Sequence, residues 1–235
     1  MLDFTTILAL IVMAVVFMQL RNVLGKRTGN ERPPFDPYVR RESANAPRGE
    51  APEGETGEDR VVTVPRRDGD DPYREIDKLA PKTSELNRGL RAIHDASEGE
   101  FDPRDFLAGA KSAYEMIVNA FAQGDRDTLR SLLAPEVYEG FEAVVAERER
   151  ENLTVEHSFI GIEEAAMETA AVRDGEAFVT VRIVSQLIQA TIDAEGKVVD
   201  GDRDAVSEVR DLWTFARPVD SDDPNWLLVA TESEE

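Results

Sequence analysis

His157 stands between Glu156 and Ser158, and those three residue types are the parts of nucleophilic hydrolysis: a base, a carboxylate to orient it and a hydroxyl to attack. Neighbours along a strand point to opposite faces, so in an extended stretch the three cannot converge, and His157 reads as a partly exposed strand residue. The other histidine is His94, and there is no cysteine. Disulfides, thiolate catalysis and thiolate zinc sites are therefore excluded, and triad or metal chemistry has little to work with. Carboxylates are abundant. Glu163 adjoins Glu164, and Asp200, Asp202 and Asp204 alternate; they could hold a cation by charge, but the Asp202 segment lacks the calcium-loop spacing and its twelfth-position glutamate. A solvated acidic loop is the expectation there. No GxGxxG, Walker A or nucleophile-elbow pattern occurs, so catalysis has no visible seat and no cofactor or metal is expected.

The remaining chemical signal is aromatic: Phe159, Phe178, Trp213, Phe215 and Trp226 all fall in stretches with strand character. On strands they form core first, although a cone of helices over a curved sheet can leave an apolar pocket between them.

The elements that must carry these residues differ along the chain. From Phe4 to Leu20 a run of 17 residues contains no charge, at the short edge of what crosses a bilayer. Its ten Leu, Ile, Val and Phe residues favour insertion by something on the order of 3 to 6 kcal/mol. The leader Met-Leu-Asp is not positive and no small-residue cleavage site follows, so a membrane anchor is expected rather than a cleaved signal. Asp3 precedes the run, while Arg21, Lys26, Arg27, Arg32, Arg40 and Arg41 follow it. Basic flanks stay inside, which puts the N-terminus out and the remainder in the cytoplasm.

The formal charge of −21 is unevenly distributed: residues 21–41 carry six basic and two acidic side chains, whereas residues 101–235 carry 12 basic and 30 acidic ones. Like charge opposes approach to phosphate, which argues against a nucleic-acid partner for the acidic part. Arg21, Lys26 and Arg27 suit contact with anionic lipid headgroups. Residues 21–72 are rich in Pro, Gly and charge and read as a disordered tether, with Val61 to Val64 its one apolar cluster.

Residues 73–100 read as a short helical connector, with Ile76 and Leu79 on one face, a break at Pro81, and a helix from Ser84 to Asp95 carrying Leu86, Leu90 and Ile93. A compact domain is expected over residues 101–235. Phe106, Leu107, Ala110, Ala113, Tyr114, Ile117, Val118 and Phe121 keep the spacing of one helix face, with Asp102 and Pro103 to start the helix and Gly124 to end it. A second helix spans Asp125 to Leu133. Pro135 opens a third, whose Val137, Phe141, Val144 and Val145 face inward and whose ERERE tail is solvated. After Leu153 the period changes to two: a strand, a hairpin turned by Asp174-Gly175, a long loop AEGKVVDGDRDA, then SEVRDLWTFARP and NWLLVATE. Helices on one face of a curved antiparallel sheet of about four strands make an α+β domain.

The anchor running into VLGKRTGNERPPFDPY, the charged tether, and the stretches FLAGAKSAYEMIVNAFAQGD, LLAPEVYEGF and EVRDLWTFARPVDSDDPNWLLVATE together resemble the TimA proteins of alphaproteobacteria. These are relatives of the Tim-forty-four subunit that anchors the import motor of the mitochondrial presequence translocase. The resemblance implies a nuclear-transport-factor-two-like cone and a non-enzymatic adaptor at the bacterial inner membrane that recruits a chaperone or client protein. The mitochondrial members' chaperone-binding segment has no counterpart here, so the resemblance assigns chaperone contact to no residue. A lipid or small-molecule binder using a pocket near Trp213 and Phe215 is the alternative, and an enzyme of the same cone is a third. An inward-facing ionisable group among His157, Glu163, Arg182 and Asp211 would favour the enzyme, a purely apolar cavity the binder, and a filled cone the adaptor.

Overall fold

The computed structural model describes residues 71–234. The expected span Phe4 to Leu20, the basic residues Arg21, Lys26 and Arg27, and Val61 to Val64 lie outside the described residues. Five helices come first: α1 (Arg74–Leu79), α2 (Glu85–Ala96), α3 (Pro103–Gln123), α4 (Arg126–Leu132) and α5 (Pro135–Arg150). Four strands follow: β1 (Thr154–Arg173), β2 (Glu176–Ile192), β3 (Val198–Pro218) and β4 (Leu227–Ser233).

Helix boundaries follow from capping chemistry. Ser84 Oγ accepts from the Asn87 amide at 3.1 Å, and Asp102 Oδ1 accepts from the Arg104 amide at 2.7 Å, with Pro103 in the first turn of α3. Such side chains satisfy amides that have no partner inside the helix. Gly124 ends α3 in the left-handed conformation, φ 71°, which a residue without Cβ adopts at no steric cost. Asp125 then caps α4.

The strands form an antiparallel meander in the order β1-β2-β3-β4. Asp174 and Gly175 turn β1 into β2 with φ of 51° and 83°, the two positive angles that a tight hairpin turn requires. Register shifts at Phe159/Gly161, Ile162/Glu164 and Met167/Thr169 interrupt β1, and bulges of this kind bend a strand. The bent sheet lays its inner face on the helices. Val179, Val181 and Ile183 of β2 and Trp213 and Phe215 of β3 join Tyr114, Ile117 and Phe121 of α3 and Phe141 of α5 in one core.

Four expectations change. The connector over 73–100 is not outside the domain: Ile76, Leu90 and Ile93 are 1%, 0% and 1% exposed and belong to the same core. Helix α2 approaches β1 so closely that a Cβ on Gly89 would stand 1.9 Å from the Ala170 carbonyl oxygen. Asn87, fully buried beneath α1, donates to the Ala80 carbonyl at 2.9 Å and to Asp77 at 3.0 Å. Asp77 also takes Arg91 at 2.6 Å and Lys82 at 2.9 Å, and these hydrogen bonds, Arg91 first, hold its carboxyl far below the usual range.

The stretch read as a long loop is mostly strand. The turn between β2 and β3 is confined to residues 193–197, closed by Asp193 Oδ1 on the Glu195 and Lys197 amides, and β3 starts at Val198. Asp200, Asp202 and Asp204 are therefore strand residues. Between Asp202 and Ser207 β3 carries four residues against one on β2, and residues 201–208 are all exposed. The arm pairs with β2 at Gly201, Asp202, Ser207 and Glu208 while its side chains stay in water, so it shows no alternation of burial.

The solvated tail expected at the end of α5 is broken by Arg148. Its guanidinium lies over the Phe121 ring at 4.3 Å and donates to the Phe121 carbonyl at 3.1 Å, and burial brings its pKa down to about 10. Finally, Phe178 is not in the core. It alternates with Ala177 and Val179, which face inward, and sits half-buried on the opposite face across from Ala216.

Candidate functional site

The inner face of β3 presents Asp211, Trp213 and Phe215 in alternation, and α3 crosses above with Tyr114, Ile117 and Phe121 on its buried stripe. Tyr114 and Trp213 meet with ring centroids 4.5 Å apart, and Phe159 of β1 lies 6.2 Å from Tyr114. Phe215 packs edge-on to Phe106, and Phe106 in turn meets Trp226 at 4.7 Å. Four of the five aromatics singled out from the sequence thus converge on α3, with Phe178 excluded by its parity on β2.

One carboxylate sits inside this aromatic wall. Asp211 is 6% exposed. The Tyr114 hydroxyl donates to its Oδ2 at 2.8 Å, and Ser233 Oγ of β4 donates to its Oδ1 at 3.1 Å. Tyr114 shares a further hydrogen bond of 2.8 Å with Ser185 Oγ of β2. Burial raises the Asp211 pKa, the nearby Glu234 charge adds to the rise, and the two hydroxyls oppose it. The Tyr114 hydroxyl is pushed well up as well, by burial first and the Asp211 charge second. A charged group out of water disfavours its own ionisation unless a counter-charge stands beside it. Among the described residues no Lys, Arg or His lies within ion-pair distance of Asp211.

Beside Asp211 a cavity of about 70 Å³ opens between α3, α5 and the last three strands. Its polar wall is Gln189, Asp211, Thr231 and Ser233, and its apolar wall includes Phe121, Phe141 and Trp213. A second, shallower groove of about 390 Å³ lies outside, between α3 and α4, lined by Glu115, Met116 and Asp125. None of its polar residues is buried, and it shares no wall with the Asp211 cavity.

The other chemical candidates are placed apart. His157 faces inward, half-buried opposite Gln189, while Glu156 and Ser158 face water. Burial lowers the His157 pKa, and the Gln189 side chain works against that shift, although neither ring nitrogen makes a hydrogen bond of normal geometry. Glu156 pairs with Arg203 at 2.8 Å. Glu163 accepts from Gln186 on the outer side. Arg182 bonds Glu234 at 2.8 Å and faces Glu164 at 3.4 Å. Asp202 accepts from the amides of Asp204 and Ala205. Of the inward candidates, Asp211 lines the cavity; its pairing with Tyr114, 97 residues away, left no trace in the local pattern.

A five-helix layer on a four-stranded antiparallel meander, with one buried carboxylate in a small aromatic cavity, defines the class of domain. Residues 86–233 match the family described as Tim44-like domain, more than half of the chain, and the chain belongs to that family. The matched region starts inside α2. A relative from Caenorhabditis elegans, the probable mitochondrial import inner membrane translocase subunit tin-44, is 25% identical over 156 residues, which is 65% of this chain and 36% of that protein. The chain thus spans about a third of the length of the curated relative it matches. Among solved structures, the intermembrane space region of the chloroplast protein ARC6 is similar over 57% of this chain and 97% of its own, at 10% identity and a TM-score of 0.39. A conserved protein from Planctomyces limnophilus is similar over 55% and 94%, at 17% identity and a TM-score of 0.33. No helix among the described residues is long and apolar enough to cross a membrane.

Proposed function

We propose that this chain is a membrane-anchored, non-enzymatic adaptor of the TimA kind, whose domain recruits a chaperone or client protein to a bacterial inner membrane. The observation that carries the reading is membership of the Tim44-like family, with a relative named as an inner-membrane translocase subunit. The anchor is the Phe4 to Leu20 run, with Arg21, Lys26 and Arg27 against anionic headgroups, the N-terminus out and the nuclear-transport-factor-two-like cone in the cytoplasm. The domain's acidity suits a protein partner with basic surface and opposes nucleic acid.

Asp211 is an inward ionisable group, the feature that favours an enzyme. Both its oxygens are engaged by hydroxyls, and about 70 Å³ is well under the roughly 300 Å³ of an ordinary small-molecule site. The cavity therefore supports neither turnover of a metabolite nor a bound lipid chain as well as it supports a protein-binding role.

Crosslinking at the membrane, followed by identification of the attached proteins, tests the reading. Recovery of a chaperone or of clients in transit is the expected result; recovery of none, with the domain folded and membrane-bound, would overturn it. A reporter fused after Glu235 tests the topology, because activity of a periplasm-only reporter there would reverse the orientation.

A further inference from the structure

A buried aspartate with no cation beside it is a rare arrangement, because carboxylates are almost never fully buried unless paired. Asp211 is such a group, 6% exposed, with two hydroxyl donors and no ion pair among the described residues. It lines a cavity that also takes the aromatic side chains of Trp213, its neighbour on the same strand face, and of Phe121 and Phe141 from the helices. A carboxylate and aromatic rings lining one small space suit a cation, because the π-systems and the carboxylate attract the same charge. Arg148 touches the same wall from α5, its guanidinium lying over the Phe121 ring and donating to the Phe121 carbonyl.

We propose that this cavity receives the cationic end of one basic side chain of a protein partner, with Asp211 as its counter-ion and Trp213 as the principal ring. The proposal deepens the adaptor reading and rests on it for the existence of the partner, while the cavity itself is testable alone. The size fits: about 70 Å³ takes an ammonium or guanidinium group and the methylenes next to it, and excludes a drug-sized ligand. The charge fits as well, since residues 101–235 carry 30 acidic against 12 basic side chains and steer basic segments toward the domain. Tyr114 and Ser233 would stay where they are. Their donated hydrogen bonds hold the carboxylate in place and leave its remaining lone pairs for the incoming N–H groups. The Glu234 carboxylate beyond β4 acts on Asp211 by charge and would attract an incoming cation as Asp211 does, while Tyr114 from α3 meets Asp211 as a hydroxyl donor.

The probes are n-butylammonium and ethylguanidinium, with 1-butanol as the neutral counterpart, titrated into the full chain in detergent and read by saturation-transfer NMR and calorimetry. The cations should bind with a Kd of about 1 to 10 mM, the range open to so few atoms, and at least about tenfold more tightly than 1-butanol. Asp211→Asn should abolish the preference for the cations over 1-butanol. Equal binding of 1-butanol and the cations to the unaltered chain, a comparison that needs no variant, would make the cavity merely apolar and overturn the proposal. Cation binding that survives Asp211→Asn would place it elsewhere with the same effect, as would absence of binding by every probe at about 50 mM, several times the Kd that such small ligands reach. None of these results touches the crosslinking test of the adaptor role.

Discussion

Gly89→Ala in the middle of α2 separates a helix that belongs to the core from one that merely connects. In an isolated or solvent-facing helix this substitution stabilises by about 0.5 to 1 kcal/mol, because glycine loses the most backbone freedom on folding. In the structure the new methyl carbon would lie 1.9 Å from the Ala170 carbonyl oxygen and 2.5 Å from its carbon. Both atoms are backbone of β1 and cannot swing aside. To restore a contact of roughly 3 Å or more, α2 must retreat from β1 by about 1 Å, and a gap of that size forfeits a quarter to a half of the dispersion well for each atom pair it opens. Leu90 and Ile93, 0% and 1% exposed, lie on the buried face of the same helix, each worth about 1.5 to 3 kcal/mol when fully buried. Losing part of both gives about 1 to 3 kcal/mol, the usual range for overpacking, so the net effect after the helix-propensity gain is a destabilisation of up to about 2.5 kcal/mol. Urea unfolding of a fragment spanning residues 71–235 measures it, and an unchanged slope with a lower midpoint isolates the stability change. A variant more stable than the parent would mean that α2 does not sit against β1 and that Leu90 and Ile93 lie outside the core.

Other outcomes follow from the same geometry. Trp213→Ala should cost about 3 to 5 kcal/mol in the same unfolding assay, since the ring is 5% exposed and packed on Tyr114; a loss under about 1 kcal/mol would remove it from the core. A fragment starting at Phe101 should aggregate or unfold where one starting at Asp71 stays soluble, because the shorter piece lacks Ile76, Leu90 and Ile93; a monomeric, cooperatively melting short fragment would refute this. The Asp211 pKa is raised in the folded state, so between the unfolded value near 3.9 and the folded one the native protein holds more protons, and stability falls as pH rises through that window. Unfolding midpoints of the parent measured against Asp211→Asn from pH 4 to 8 should therefore decline with pH, and a flat or rising difference would contradict the burial argument. For His157 the folded pKa is lowered, so its contribution has the opposite sign: destabilisation sets in as pH falls below about 6.5.

The helices were the most legible part of the sequence because their signals are local. Asp102, Pro103 and Gly124 mark both ends of α3, and Val137, Phe141, Val144 and Val145 mark the buried side of α5. The Asp174-Gly175 turn was legible for the same reason. The first half of β3 was not. It runs through Gly201, Asp202, Arg203 and Asp204, all exposed, and a strand that buries neither face leaves no alternation to read. Nor was the place of α2 legible, since periodicity reports that Leu90 and Ile93 share a face but not what that face meets. Of the site, the aromatic wall and the inward parity of Asp211 lay within reach of strand alternation. The Tyr114 hydroxyl that holds Asp211 comes from another element altogether, and only tertiary structure joins them.

The strand order β1-β2-β3-β4 means that each strand pairs with the one made just before it, so the sheet can grow in the direction of synthesis with no strand left waiting for a later insertion. The short β4 is last, and it supplies Thr231 and Ser233 to the cavity. Until it docks, Asp211 lacks the Ser233 hydroxyl and the cavity lacks one of its walls. Because β4 is also an edge strand, fraying of the finished domain should start there, which makes the final turn of assembly and the first event of opening the same motion, and makes amide exchange along residues 227–233 a direct clock for access to the cavity.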